Sequence, residues 1–93
     1  MTYKAEPTIM IDNERVKVAD WRMGPDTQIG HHVHSLDYLV VALSEGELTI
    51  ATEDEEIAFP LKVGTTVFGN TGDAHDVLNR ADKEVRFLEI ELK

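Results

Sequence analysis

Three of the chain's four histidines fall inside the stretch Gly30-His31-His32-Val33-His34, and the fourth, His75, stands far downstream. Neutral imidazole is the commonest protein ligand for metals. Side chains of an extended strand alternate between faces, so His32 and His34 point to one side, with Cα atoms about 6.5–7 Å apart. His31 points the other way. His32 and His34 can therefore offer two imidazole nitrogens to one ion. A catalytic metal site generally takes three protein ligands and keeps a position open, so a third ligand must come from elsewhere. His75 follows the turn-rich run Gly69-Asn70-Thr71-Gly72 and opens a strand in Asp73-Ala74-His75-Asp76-Val77, where an inward-facing residue could reach across to the pair.

The elements that must position these residues read as strands. Ile9 and Ile11, Val16 and Val18, and Leu48 and Ile50 repeat at a step of two, and helical patterning is nearly absent. Polar punctuation recurs at Asp12-Asn13, Gly24-Pro25-Asp26, Ser44-Glu45-Gly46, Glu53 to Glu56, Gly69 to Asp73 and Ala81 to Lys83. Spacing of roughly eight to twelve residues is that of an all-β sandwich or barrel. The run Tyr38 to Leu43 is apolar on both faces, as expected of a strand covered on both sides. The closing run Glu84 to Leu92 places Val85 and Phe87 in one phase and Leu88, Ile90 and Leu92 in the other, which predicts either a bulge or two apolar surroundings. Trp21 and Met23 share a face and are expected to fill the wall of the barrel. The acidic run Glu53 to Glu56 reads as a solvated hairpin tip.

Composition narrows the class. Ninety-three residues suffice for one domain, expected to span 1–93. The apolar fraction of 42% and charged fraction of 29% are those of a folding globular chain. Eighteen acidic against nine basic residues give a net charge of −9, a field that repels nucleic acid and anionic membranes. No cysteine is present, so thiolate ligands and disulfides are excluded. No window approaches the roughly eighteen apolar residues of a membrane span, nor the apolar run of a signal peptide, and the expected location is the cytoplasm.

Two stretches carry a resemblance to the cupin family. Its second motif, Gly, five residues, Pro-x-Gly, two residues, His, three residues, Asn, is matched by Gly64, Thr65 to Gly69, Asn70 in the proline position, Thr71, Gly72, His75 and Asn79. Its first motif is matched over about 26–46, with His32 and His34 in the His-x-His positions and Gly46 closing it. Asp26 stands for the opening glycine, a mild exchange because aspartate tolerates left-handed backbone. The family's glutamate is missing, since the two ways of counting reach Tyr38 and Leu39. The chain is most similar to small cupins associated with β-alanine degradation, in His-x-His-x-x-Asp-Tyr and in the ending Phe-Leu-Glu-Ile-Glu-Leu-Lys.

The resemblance implies a small cupin double-stranded β-helix, a jelly-roll barrel with little or no helix. It also implies a divalent transition metal (Zn, Ni, Fe, Mn or Cu) held by His32, His34 and His75, with solvent completing the shell. Tyr38 keeps the parity of His34, and its hydroxyl could bond metal-bound water or substrate. Asp37, Asp76 and Asn79 are candidate acceptors for the second ring nitrogens, although Asp76 and Asn79 equally suit tying down a turn or strand edge. Gln28 is a polar candidate for the mouth. The functional expectation is a metal site that acts on, or binds, a small organic acid or carbonyl compound as oxygenase, isomerase or lyase. The rival is a non-catalytic cupin that binds or senses a small molecule, with or without a metal, favoured by the lack of a recognisable acid or base beyond the histidines. Strands apolar on both faces predict a homodimer.

Overall fold

The computed structural model describes residues 2–93. It contains eleven strands: β1 (Tyr3–Lys4), β2 (Pro7–Asp12), β3 (Val16–Met23), β4 (Thr27–Gln28), β5 (His32–Val33), β6 (Tyr38–Ala42), β7 (Gly46–Ala51), β8 (Glu56–Leu61), β9 (Thr66–Gly69), β10 (Ala74–Asn79) and β11 (Val85–Leu92). No helix long and apolar enough to cross a membrane occurs among the described residues. One sheet runs β1-β4-β10-β7-β8, with β5 paired to β10, and the second runs β2-β3-β11-β6-β9. This is the all-β architecture expected from the step-two pattern.

The interior is built by parity. Ala19, Trp21 and Met23 of β3, Val85 and Phe87 of β11, and Ala42 of β6 are buried, and they meet Leu48, Leu61 and Val77 of the other sheet. Trp21 and Met23 thus fill the wall as expected, with the Trp21 ring stacked at 6.3 Å from Phe87. The ladder from β11 to β3 is unbroken from Val85↔Met23 to Leu92↔Val16. Of the two readings of the closing strand, the bulge therefore falls, and two different surroundings explain its two phases. The register shift lies instead in β2, between Ile9 and Ile11.

Local chemistry sets the turns. Asn13 accepts from the backbone N–H groups of Arg15 and Val16 at 2.8 and 3.0 Å, closing the turn from β2 to β3 as an Asx side chain does. Asp26 adopts φ 57°, the left-handed conformation that the opening glycine of the motif would take freely. The strand pair β7 and β8 carries the acidic tip, and Glu56 leaves it to pair with Arg80 through both guanidinium nitrogens.

Candidate metal centre

Strand β5 is only two residues long, so it holds His32 while His34 lies just beyond its end. The backbone N–H of His34 donates to Asp73 O at 2.8 Å, and the N–H of Gly72 donates back to His34 O at 2.7 Å. These bonds extend the pairing of β5 with β10 and keep His34 on the same side as His32. His75 is the direct partner of His32 in that antiparallel ladder. The sequence led us to expect the third imidazole to reach across the interior; it sits instead on the neighbouring strand. Register brings the rings together.

Their Nε2 atoms converge. His32 to His34 is 3.1 Å, His34 to His75 is 3.2 Å, and one ligand atom from each lies within 4.8 Å of the others. Ring nitrogens bound about 2.0–2.1 Å from one ion, at angles between square and tetrahedral, lie about 2.9–3.4 Å apart. His32 Nδ1 lies 2.7 Å from Gly30 O. A carbonyl only accepts, so Nδ1 carries a proton, and in the neutral ring Nε2 of His32 presents a lone pair. With all three rings neutral, the single Nε2 of His34 cannot satisfy both neighbours: if it donates to His32 it faces His75 unaided, and the reverse. One close contact always lacks a proton, and a cation bound between the lone pairs removes that conflict. The donor set fits a metal.

Electrostatics point the same way. Burial holds the His34 ring well below its ordinary value, at about 4, with His32 and His75 adding to the effect and Asp73 opposing it. Burial also lowers His75, followed by the neighbouring His32. Both shifts favour the neutral ring, the form a metal needs. His31 is exposed.

Tyr38 stands where the family's glutamate would be counted. Its ring lies parallel to His34 with centroids 3.8 Å apart, and its hydroxyl donates to Asp73 Oδ2 at 3.1 Å. Burial first, then Asp73, pushes its phenol far above the ordinary range, so it remains a neutral donor and a poor ligand. The same Asp73 oxygen accepts from the backbone N–H of Asn70 at 2.9 Å, a bond that chiefly lowers the Asp73 carboxyl. Proline at position 70 would have no N–H to give. Two of the three departures from the family motifs, Asn70 and Tyr38, thus meet on one carboxylate.

The remaining candidates are placed as follows. Despite a bend at Ser35-Leu36, Asp37 turns to the Thr71 N–H and hydroxyl at 2.8 and 2.9 Å. Asp76 accepts from the Gly30 N–H at 2.9 Å. Asn79 is fully buried and donates to Met23 O and Lys83 O at 2.8 and 2.9 Å, so it ties β10 to the neighbouring turns. The acceptor that orients His32 is the Gly30 carbonyl and none of these three side chains. Gln28 is half-buried in β4 and its backbone carbonyl accepts from the Ala5 N–H; it does not line the cavity beside His75.

That cavity has a volume of about 380 Å³, and its walls are almost entirely apolar, including Val40, Ile50, Phe59, Val67 and Phe87. Three polar residues line it: Tyr38, His75 and Glu89. Glu89 escaped the sequence reading, which found no acid or base beyond the histidines. The available signal was parity, because Glu89 follows Val85 and Phe87 on the inward phase of β11. Burial, followed by the charge of Glu91, raises its carboxyl to about 7, with Lys17 opposing. The folded state then holds this proton more tightly than the unfolded chain. Its contribution to stability is full below the ordinary glutamate range and is lost as pH rises toward 7. Glu89→Gln is expected to be more stable than the wild type at about pH 8, by about 1–3 kcal/mol, and equal to it near pH 4. Urea unfolding at the two pH values checks this.

A two-sheet β-barrel with three converging imidazoles, one of which lines an apolar cavity, defines a class of protein. A family profile described as a cupin domain matches residues 19–91, and the chain belongs to that family. It is 39% identical over 90 residues to the β-alanine degradation protein BauB of Pseudomonas aeruginosa, covering 97% of this chain and 95% of that one. A cupin domain from Bordetella pertussis is similar with a TM-score of 0.95 and 41% identity, over 100% of this chain and 97% of the other. A double-stranded β-helix protein from Klebsiella pneumoniae, at 20% identity and a TM-score of 0.80 over 96% and 76% of the two chains, shares the fold.

Proposed function

We propose that this protein is a metal-binding cupin in which His32, His34 and His75 hold a divalent transition ion, and that it acts on or binds a small organic acid or carbonyl compound. The observation that carries the reading is the convergence of three Nε2 atoms whose contacts no arrangement of protons on neutral rings satisfies. Such an ion would polarise a bound carbonyl or carboxylate oxygen, and iron would add the ability to activate dioxygen. The chain's own residues supply the rest: Tyr38 and Asp73 brace His34, Gly30 orients His32, and the apolar wall receives the ligand's carbon chain. The relative named for β-alanine degradation supports a small carboxylate, or a compound made from one, as ligand.

The test is metal analysis of protein purified without chelator, followed by turnover screening of small carboxylates and oxo acids with and without oxygen. Stoichiometric metal with product formation supports an enzyme. Saturable binding without product assigns the chain to the binding cupins, and protein free of metal even after reconstitution with zinc, nickel, iron, manganese and copper overturns the site.

The outer face of the second sheet supports the homodimer. Ile11, Val18, Ile90, Leu39 and Phe68 are successive register partners across β2, β3, β11, β6 and β9. Paired positions share a face, so an apolar row crosses the whole sheet on its outside, and it ends in solvent at Ile11 and Phe68. We propose that a second copy covers it. Ile90→Lys in the middle of the row is expected to convert a dimer to a monomer, as read by size exclusion with light scattering. A monomeric wild type at about 100 µM, roughly a hundred times a micromolar Kd, overturns the pairing.

A further inference from the structure

The carboxyl of Glu89 is the feature of the cavity that fold and metal ligation leave unexplained. Its direct neighbours on the adjacent strands are Ala19 and Val40, and Phe87 precedes it on the inward phase. No hydrogen bond to a described residue supports the carboxyl, whose raised affinity for a proton comes from burial and Glu91. A carboxyl placed in an apolar wall without partners costs stability, and nothing in the packing of the barrel requires it. The cavity it faces is the one lined by His75, on the opposite sheet. The charged and titratable groups around it are Glu91 on its own strand, Lys17 on β3, Tyr38 on β6 and His75 on β10.

We propose that Glu89 is the proton-exchanging residue of the cavity, and that the ligand class is a small 2-oxo acid or related carbonyl compound with a C–H bond next to its carbonyl. The inference rests on the metal-binding reading above and names the chemistry of the same site. The oxygens of the ligand face the imidazole cluster and its carbon chain lies along the apolar wall towards Glu89. The C–H bond beside the carbonyl breaks, and its proton passes to a carboxylate oxygen of Glu89. The electron pair left on carbon forms the C=C bond while the C=O π pair moves onto the carbonyl oxygen. Return of the proton to either face or position completes the cycle, so no oxidant or reductant is consumed. A carboxyl that titrates close to neutrality suits both directions, because it is neither too weak a base nor too weak an acid. Tyr38, committed to Asp73, does not compete for this role.

Three measurements test this. First, ¹³C NMR titration of the metal-free protein should show Glu89 changing protonation near pH 7; a midpoint in the ordinary glutamate range overturns the proposal whatever the metal does. Second, the zinc-loaded wild type, incubated with 4-methyl-2-oxopentanoate in D₂O, should exchange the C3 protons faster than buffer. Third, Glu89→Gln should lower that exchange by at least about 100-fold while keeping zinc stoichiometry and binding of the oxo acid. Exchange that persists in Glu89→Gln, or that is absent from a wild type shown to hold both zinc and the oxo acid, overturns the proposal. A wild type that binds no metal removes the parent reading, and the metal-free titration then judges Glu89 separately.

Discussion

His34→Ala is expected to lose metal affinity by at least about 100-fold, beyond the 10–100-fold typical of residues that only support a ligand. His34 is the middle ring of the three: its Nε2 lies 3.1 Å from His32 and 3.2 Å from His75. Without it two imidazoles remain, fewer than the three protein ligands usual at a catalytic ion. Metal content after purification without chelator, and competition against a chromogenic chelator, provide the readout. The ring also packs, being 7% exposed and stacked on Tyr38, so the variant should lose about 1–2 kcal/mol in the metal-free state. His34→Phe separates the two roles, since it keeps a planar ring against Tyr38 but offers no ligand atom. It should approach wild-type stability without metal and bind the ion as poorly as alanine. Wild-type metal affinity in both variants would remove His34 from the site.

Gly69→Ala carries the second large effect, expected at about 3 kcal/mol of destabilisation, the upper end of overpacking costs. Gly69 is the register partner of Tyr38. A Cβ added there would lie 1.9 Å from Cζ of that ring and 2.3 and 2.4 Å from its two Cε atoms. The ring has no easy retreat, because one displacement breaks its stack on His34 and another its bond to Asp73. Urea unfolding measures the cost. Metal affinity should fall with it, since moving Tyr38 moves His34. Adding Tyr38→Ala to Gly69→Ala should recover part of the loss, giving an interaction term of opposite sign to the single effects. Additive losses would show that the ring and the glycine are independent.

Much of the fold was legible because strand parity is a local property. The step-two pattern predicted the strands, placed Trp21 and Met23 in the wall, set His32 and His34 on one side, and turned His31 outward. Asp26 was readable as a left-handed residue from side-chain type alone, and its φ of 57° agrees. The same parity pointed Glu89 inward beside Phe87. An acidic residue within an apolar run reads as solvent-facing until the sheet that covers it is known.

What the chain could not disclose alone is which strands become neighbours. His75 was recognisable as the third imidazole, but its position opposite His32 is a matter of β5–β10 register. The Asp73 carboxylate joins Asn70 to Tyr38 only because the turn before β10 folds against the start of β6. The strength with which Glu89 and His34 hold or refuse protons likewise comes from burial, which distant segments impose. Residue types and their alternation determined the kind of site this protein can build; pairing between remote strands decided where its nitrogens meet and which carboxyl faces them, because register and desolvation are properties of the assembled barrel.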